Sequence, residues 1–115
     1  MLEQQLLKQL PGCFFIKDKD YKYLYISDYA CELIGVNRDD MIGKTDADLV
    51  NEAEVTDQWH ADDVKVIENG EILENLHDEV VNKNGERVKV LTTKAPYRDD
   101  NGEVIGVIGI SIINQ

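Results

Sequence analysis

Val104-Ile105-Gly106-Val107-Ile108-Gly109-Ile110-Ser111-Ile112-Ile113 is the stretch on which the fold turns. It is nearly all apolar, mostly β-branched, and follows the turn pair Asn101-Gly102, a pattern that describes a strand buried on both faces. Such a strand belongs near the middle of a sheet. The preceding chain must then supply strands for its two sides and helices for a face.

Working back from it, residues 87–95 and 72–81 read as two more strands, joined through Asn84-Gly85 and through Arg98-Asp99-Asp100-Asn101-Gly102. Asn-Gly between alternating apolar segments is a hairpin signal, and it occurs twice, so the last third is an antiparallel meander. Before it lies one long helix. Asn51 and Glu54 have capping-box spacing and Asn69-Gly70 supplies the stop. At about 100° per residue, Val55, Trp59, Asp63, Val66 and Ile67 share a face, with His60 near its edge. An aspartate thus stands inside the apolar stripe.

Three short helices precede it: one capped by Ser27 or Asp28 and ended by Gly35, one over residues 37–42 closed by Gly43, and one over 45–49. Residues 13–16 and 21–26 are aromatic, β-branched runs around Lys17-Asp18-Lys19-Asp20, which reads as a hairpin with a charged turn. Residues 1–10 place Leu2, Leu6, Leu7 and Leu10 on one helical stripe that Pro11-Gly12 ends. Helix 1–10 is taken as a flanking, dimerising element and 11–115 as the domain proper. The class is α+β, with one antiparallel sheet and helices gathered on one face.

The chain of 115 residues is long enough for a single core. Twelve Lys and Arg against 23 Asp and Glu give a net charge of −11. A field of that sign repels phosphate backbones and anionic lipid, so neither nucleic acid nor a membrane surface is expected as a partner. No stretch has the length of a membrane span, and the first ten residues lack a signal-peptide pattern. Cys13 and Cys31 have no metal-type spacing and sit among apolar neighbours. A reduced, cytoplasmic setting follows, within a longer membrane-anchored parent or without one.

This element order carries specific words: Phe15-Ile16-Lys17-Asp18-Lys19-Asp20-Tyr21-Lys22-Tyr23-Leu24-Tyr25-Ile26, Ala30-Cys31-Glu32-Leu33-Ile34-Gly35, Ile42-Gly43-Lys44-Thr45-Asp46, Asp63 to Gly70, and Thr93-Lys94-Ala95-Pro96-Tyr97-Arg98-Asp99 before Gly102-Glu103-Val104-Ile105-Gly106. Together, over residues 11–113, they resemble a PAS domain, the sensor module of bacterial signalling proteins. The resemblance implies a five-stranded sheet with the first and last strands side by side at its centre, and a long helix roofing a pocket. Many relatives continue with Asp-Ile-Thr and a helix into an effector. Here the chain stops at Ile112-Ile113-Asn114-Gln115, and a fragment lacking its output helix is expected.

Nothing announces an enzyme: there is no Gly-x-Ser-x-Gly, no phosphate loop and no two-histidine metal spacing, so neither catalytic nor metal-binding residues are assigned. Alternation over 87–95 puts Val88, Val90, Thr92 and Lys94 on one face, which the resemblance makes the pocket face. The pocket expected from it comprises Trp59, Asp63, Thr92, Lys94, Val90, Ile108 and His60. Two readings of Lys94 stand. With Thr92 or His60 it fixes a small anionic metabolite, or it forms a structural pair with Asp63 or snorkels to the rim, the commoner fate of such a charge.

Some relatives carry haem on a histidine of this helix, which makes His60 a haem candidate. Trp59 in the central inward position and the charge of Lys94 oppose an apolar haem cavity. The flavin-type Asn-Cys-Arg-Phe segment is missing, and no cofactor is expected. Lys17-Asp18 is taken as an exposed turn pair worth little, and Cys13, Tyr21, Tyr23 and Tyr25 as core and cross-strand residues. The overall expectation is a PAS-type module of a histidine kinase, cyclase or transcription regulator. It would bind a ligand under the long helix and relay the signal through a homodimer to an output domain of the same chain, or act as a ligand-free dimerisation and relay element.

Overall fold

The computed structural model of the chain describes residue 5 and residues 9–114. Strands β1 (Cys13–Asp18) and β2 (Tyr23–Ile26) lead into helices α1 (Asp28–Ile34), α2 (Arg38–Met41), α3 (Asp46–Leu49) and α4 (Ala53–Asn69), and then into β3 (Leu73–Val81), β4 (Arg87–Arg98) and β5 (Val104–Ile113). All pairings are antiparallel, in the order β2-β1-β5-β4-β3. The apolar run Val104–Ile113 is the central strand. Its neighbours are the first strand and β4, with Ile16 and Ala95 both registered on Ile108.

Double-sided burial of β5 does not hold among the described residues. Val107 is fully buried against Val66 and Ile67 of α4, whereas Ile112 on the other side is 53% exposed. The described helices cover one face only, so the apolar character of the second face records something other than the packed core. Leu2, Leu6 and Leu7, expected to form a flanking helix, lie outside the described residues; Leu10 is exposed.

Local signals explain most element ends. Ser27 caps α1 by accepting from the Ala30 amide, and the same buried hydroxyl donates to Gly12 O and accepts from Phe14 N, tying the helix start to β1. The capping box lies at Thr45 and Asp48 of α3, where each side chain accepts from the other's backbone amide. The box expected at Asn51 and Glu54 does not form. Helix α4 starts later, with Glu52 at its cap position and no side-chain cap bond, and Glu52 instead meets Arg87 at 3.2 Å.

The β1–β2 turn is also displaced from its expected place. Asp18 accepts from the amides of Asp20 and Lys22, and Tyr21 takes a φ of 65°, so the turn covers 19–22 and Lys17 belongs to the strand. A register shift then separates Ile16↔Tyr25 from Lys17↔Tyr23. Leu24 is the extra residue of a bulge, which turns Tyr23 inward and Tyr25 outward although they are two apart.

Gly106 permits the closest approach in the sheet: a Cβ there would lie 2.0 Å from the Lys17 carbonyl oxygen. Gly106→Ala must push β5 away from β1, and a loss of about 2 kcal/mol is expected, as for an overpacked core. Chemical denaturation checks this; an unchanged midpoint would sink the close-approach account.

Candidate ligand pocket and its buried charge cluster

Alternation along two strands delivers the site. On β1 the inward row is Cys13, Phe15 and Lys17; on β4 it is Val88, Val90, Thr92 and Lys94. Between them runs β5, where Gly109 is registered on both Phe15 and Lys94. A Cβ on Gly109 would reach within 2.2 Å of Phe15, so the missing side chain is what lets that ring lie across the central strand. The two ammonium groups flank it, Lys17 at 5.5 Å and Lys94 at 6.0 Å from the ring centroid.

Asp63, on the sheet-facing stripe of α4, joins the two lysines. Its Oδ2 accepts from Lys17 Nζ at 2.7 Å and its Oδ1 from Lys94 Nζ at 2.8 Å. Asp46, the first residue of α3, completes the set: Oδ2 accepts from Lys17 at 2.5 Å and Oδ1 from the Tyr23 hydroxyl at 2.6 Å. Lys17, Asp63 and Lys94 are 2%, 1% and 3% exposed, so these are charges held away from water. Their compensation is complete: two cations meet two carboxylates, and no buried side-chain polar atom among the described residues lacks a partner.

Burial alone would lower Lys17, but the carboxylates of Asp46 and Asp63 outweigh it and hold the ammonium above its ordinary 10.5. Burial first and the Asp46 carboxylate second push Tyr23 well above 10.0. Burial, then nearby Cys31, raises Cys13 to about 11, which leaves it a thiol at neutral pH.

Beside the cluster lies a cavity of about 90 Å³, walled by Trp59, Asp78, Val90, Thr92, Lys94 and Ser111 among others. Thr92 Oγ1 and Ser111 Oγ are 2.7 Å apart in a hydrogen bond across β4 and β5. Trp59 and Val80 also wall a larger cleft of about 410 Å³ that opens between α4, β3 and the short helices. One indole therefore stands between the two spaces.

Of the residues expected here, Trp59, Val90, Thr92 and Lys94 line the cavity, and Asp63 sits behind them in the ion cluster. Two do not belong. Ile108 points to the opposite face, because the parity of β5 is set by Val107 turning inward. His60, one residue past Trp59, is rotated off the sheet-facing stripe, is exposed, and rests edge-on against Tyr21 at 4.5 Å.

The two readings of Lys94 meet here: the pair with Asp63 is present, so its charge is already matched. Residues the sequence reading missed are Lys17, Tyr23, Asp46, Asp78 and Ser111. Lys17 continues the period-two row of Cys13 and Phe15, a signal that the four charged residues of the supposed turn concealed. The bulge at Leu24 concealed Tyr23, and nothing local marks Asp46.

Over residues 7–112 the chain matches the family described as the PAS fold. A diguanylate cyclase of Vibrio cholerae is 31% identical over 113 residues, 96% of this chain and 34% of the cyclase. Vibrio cholerae VqmA, studied as a dimer among LuxR-type receptors, superposes with a TM-score of 0.86 at 32% identity, covering 100% of this chain and 52% of VqmA. VqmA has also been solved in a complex with ligand and DNA, and bound to DPO. The PAS domain of Bordetella pertussis BvgS superposes with a TM-score of 0.79 at 25% identity, covering 99% of this chain and 85% of that one.

This chain therefore spans less than two thirds of the cyclase and of VqmA. The expectation that excluded nucleic acid as a partner is overturned, because a structure this similar belongs to a DNA-binding receptor. The charge argument fails for a physical reason: the field of one domain does not limit what the remainder of a longer protein contacts.

The ion cluster has consequences in both sequence and pH. Asp63→Asn leaves two buried ammonium groups short of a counter-charge, and a loss of about 3–5 kcal/mol is expected in denaturant titration. Lys17, whose folded pKa is raised, contributes stability that is full below about 10.5 and lost as pH rises through its folded value. Tyr23 acts in the same direction, since only the unfolded chain gives up its phenolic proton near 10.0. Cys13, raised to about 11, acts in the same direction, so stability should be flat to pH about 9 and fall above it, with a shallower fall in Tyr23→Phe; a curve that rises through this range would overturn the assignment.

Proposed function

The chain belongs to the PAS fold family of sensory modules, and from that premise we propose that it binds one small, compact ligand in the cavity beneath α4 and relays its presence through the outer face of the sheet. The observation that carries this reading is a space of about 90 Å³ walled by Thr92, Ser111, Lys94 and Trp59 beneath α4, where every buried side-chain polar atom among the described residues already has a partner. It would hold about three waters, or a molecule of four or five heavy atoms, with room for more if Trp59 turns toward the adjoining cleft. That VqmA, 32% identical across this chain, has been solved bound to DPO supports the reading.

Transmission follows from strand geometry. Thr92 and Ser111 face the cavity, whereas their strand neighbours Thr93 and Ile110 line an apolar groove of about 390 Å³ on the outer face with Phe14, Ile16, Tyr25 and Ile108. A ligand that reorders the inner row shifts the strands whose other face meets the partner. We place a second copy of the chain on that groove. The output lies in further segments of a longer protein, and a nucleic-acid partner of the kind VqmA has belongs to this reading. Haem does not, because His60 stands outside the cavity and the cavity is far smaller than the macrocycle.

A second reading has its own support: the Lys94–Asp63 pair and a nearly filled interior suit a ligand-free dimerisation and relay element.

Native mass spectrometry separates the two. Protein purified from cells, or incubated with cell extract, should carry an added small mass, and Ser111→Leu, which grows into the cavity, should lower its occupancy about tenfold. Bare mass throughout would leave the relay reading in possession. For the outer face, Ile108→Glu should convert a dimer to a monomer in sedimentation velocity; an unaltered mass would remove that groove from the interface.

A further inference from the structure

The charges around the cavity specify more than its size. Lys17 and Lys94 are each met by a carboxylate, Tyr23 by Asp46, and the Thr92 and Ser111 hydroxyls by each other. Asp78 is the exception. It lies on the inward row of β3, half-buried at the cavity wall, and makes no side-chain hydrogen bond or ion pair among the described residues. With both lysines neutralised, its carboxylate is the surplus charge of the site.

We infer that the ligand carries an N–H donor, on a small planar amide-like or amidine-like group, that meets Asp78, and that an anion is the wrong class of ligand for this cavity. This rests on the reading that the cavity is a ligand site. The electrostatics favour it: an entering carboxylate would face an unmatched like charge at a half-buried wall, whereas an N–H group gains a charge-assisted bond. The register supports it as well. Asp78 is registered on Val90, and Leu76 on Thr92, which makes Thr92 the diagonal neighbour of Asp78 at roughly 7 Å across the sheet. A planar group of three or four heavy atoms, with one hydrogen bond at each end, fills that span. In the Thr92–Ser111 pair one hydroxyl donates to the other, so the second keeps a proton to give to an amide's carbonyl, while a remaining hydroxyl lone pair accepts from an amidinium N–H.

Acetamidinium, acetamide and acetate have the same four-heavy-atom skeleton and differ in charge and in the donors they offer, so they isolate the effect. Each is titrated into the purified ¹⁵N-labelled chain, following the amides of Asp78, Thr92, Lys94 and Ser111. Acetamidinium should bind about tenfold more tightly than acetate, with acetamide between them, and Asp78→Asn should level the series. The variant removes no partnered side chain, and the amide spectrum itself reports that it remains folded. Acetate binding as tightly as acetamidinium, a ranking that survives Asp78→Asn, or no response to any of the three would overturn the inference, the middle result making Asp78 a solvated charge on an edge strand. Failure here with a cellular ligand retained in the native mass would reject the donor assignment alone; bare mass rejects the underlying reading.

Discussion

One carboxylate holds two strands to the roof. Asp63 receives Lys17 from β1 and Lys94 from β4, strands that are not neighbours but flank β5 on either side. A buried carboxylate with one ammonium is a costly pair, and a second ammonium makes the site tolerable only because Asp46 returns the missing charge. The four groups stabilise one another and no subset suffices. That requirement fixes the height at which α4 crosses the sheet and draws in the short helix that carries Asp46. The glycine opposite both Phe15 and Lys94 is part of the same arrangement, since a side chain at Gly109 would occupy the space where the Phe15 ring passes between the two cations.

A cluster of this kind separates apolar regions. Cys13, Tyr23, Ile26, Ala30 and Met41 pack at one end, Val66, Ile67 and Val107 at the other, and the ions and the small cavity lie along the same inner face. Polar contacts are directional, so a space beside them is shaped by where lone pairs and N–H groups point, whereas an apolar core would tend to close over it. The cavity and the ion cluster are thus two aspects of one packing solution. Alternation along β4 and β5 gives each inner residue an outer neighbour, which is how a change at Thr92 or Ser111 would be felt on the groove lined by Thr93 and Ile110.

The acidity of the chain has little bearing on the ion cluster. The cluster is neutral, and the −11 resides mainly on exposed side chains. For the same reason net charge misled the expectation about partners: the similar receptor VqmA engages DNA although this chain covers only 52% of it.

The sequence by itself determined the element order, the strand character of Val104–Ile113, the shared face of Val90, Thr92 and Lys94 and the helix stops at Gly35 and Gly70, because period, turn pairs and left-handed glycines are local signals. Tertiary structure alone decided the rest. Lys17 reads as part of a charged turn until its counter-charges arrive from residues 46 and 63, far along the chain. The bulge that turns Tyr23 inward depends on register against β1, and the parity that sends Ile108 outward depends on which face α4 covers. The stability of a buried charge is a sum over partners brought together by the fold, so no window of neighbouring residues contains it.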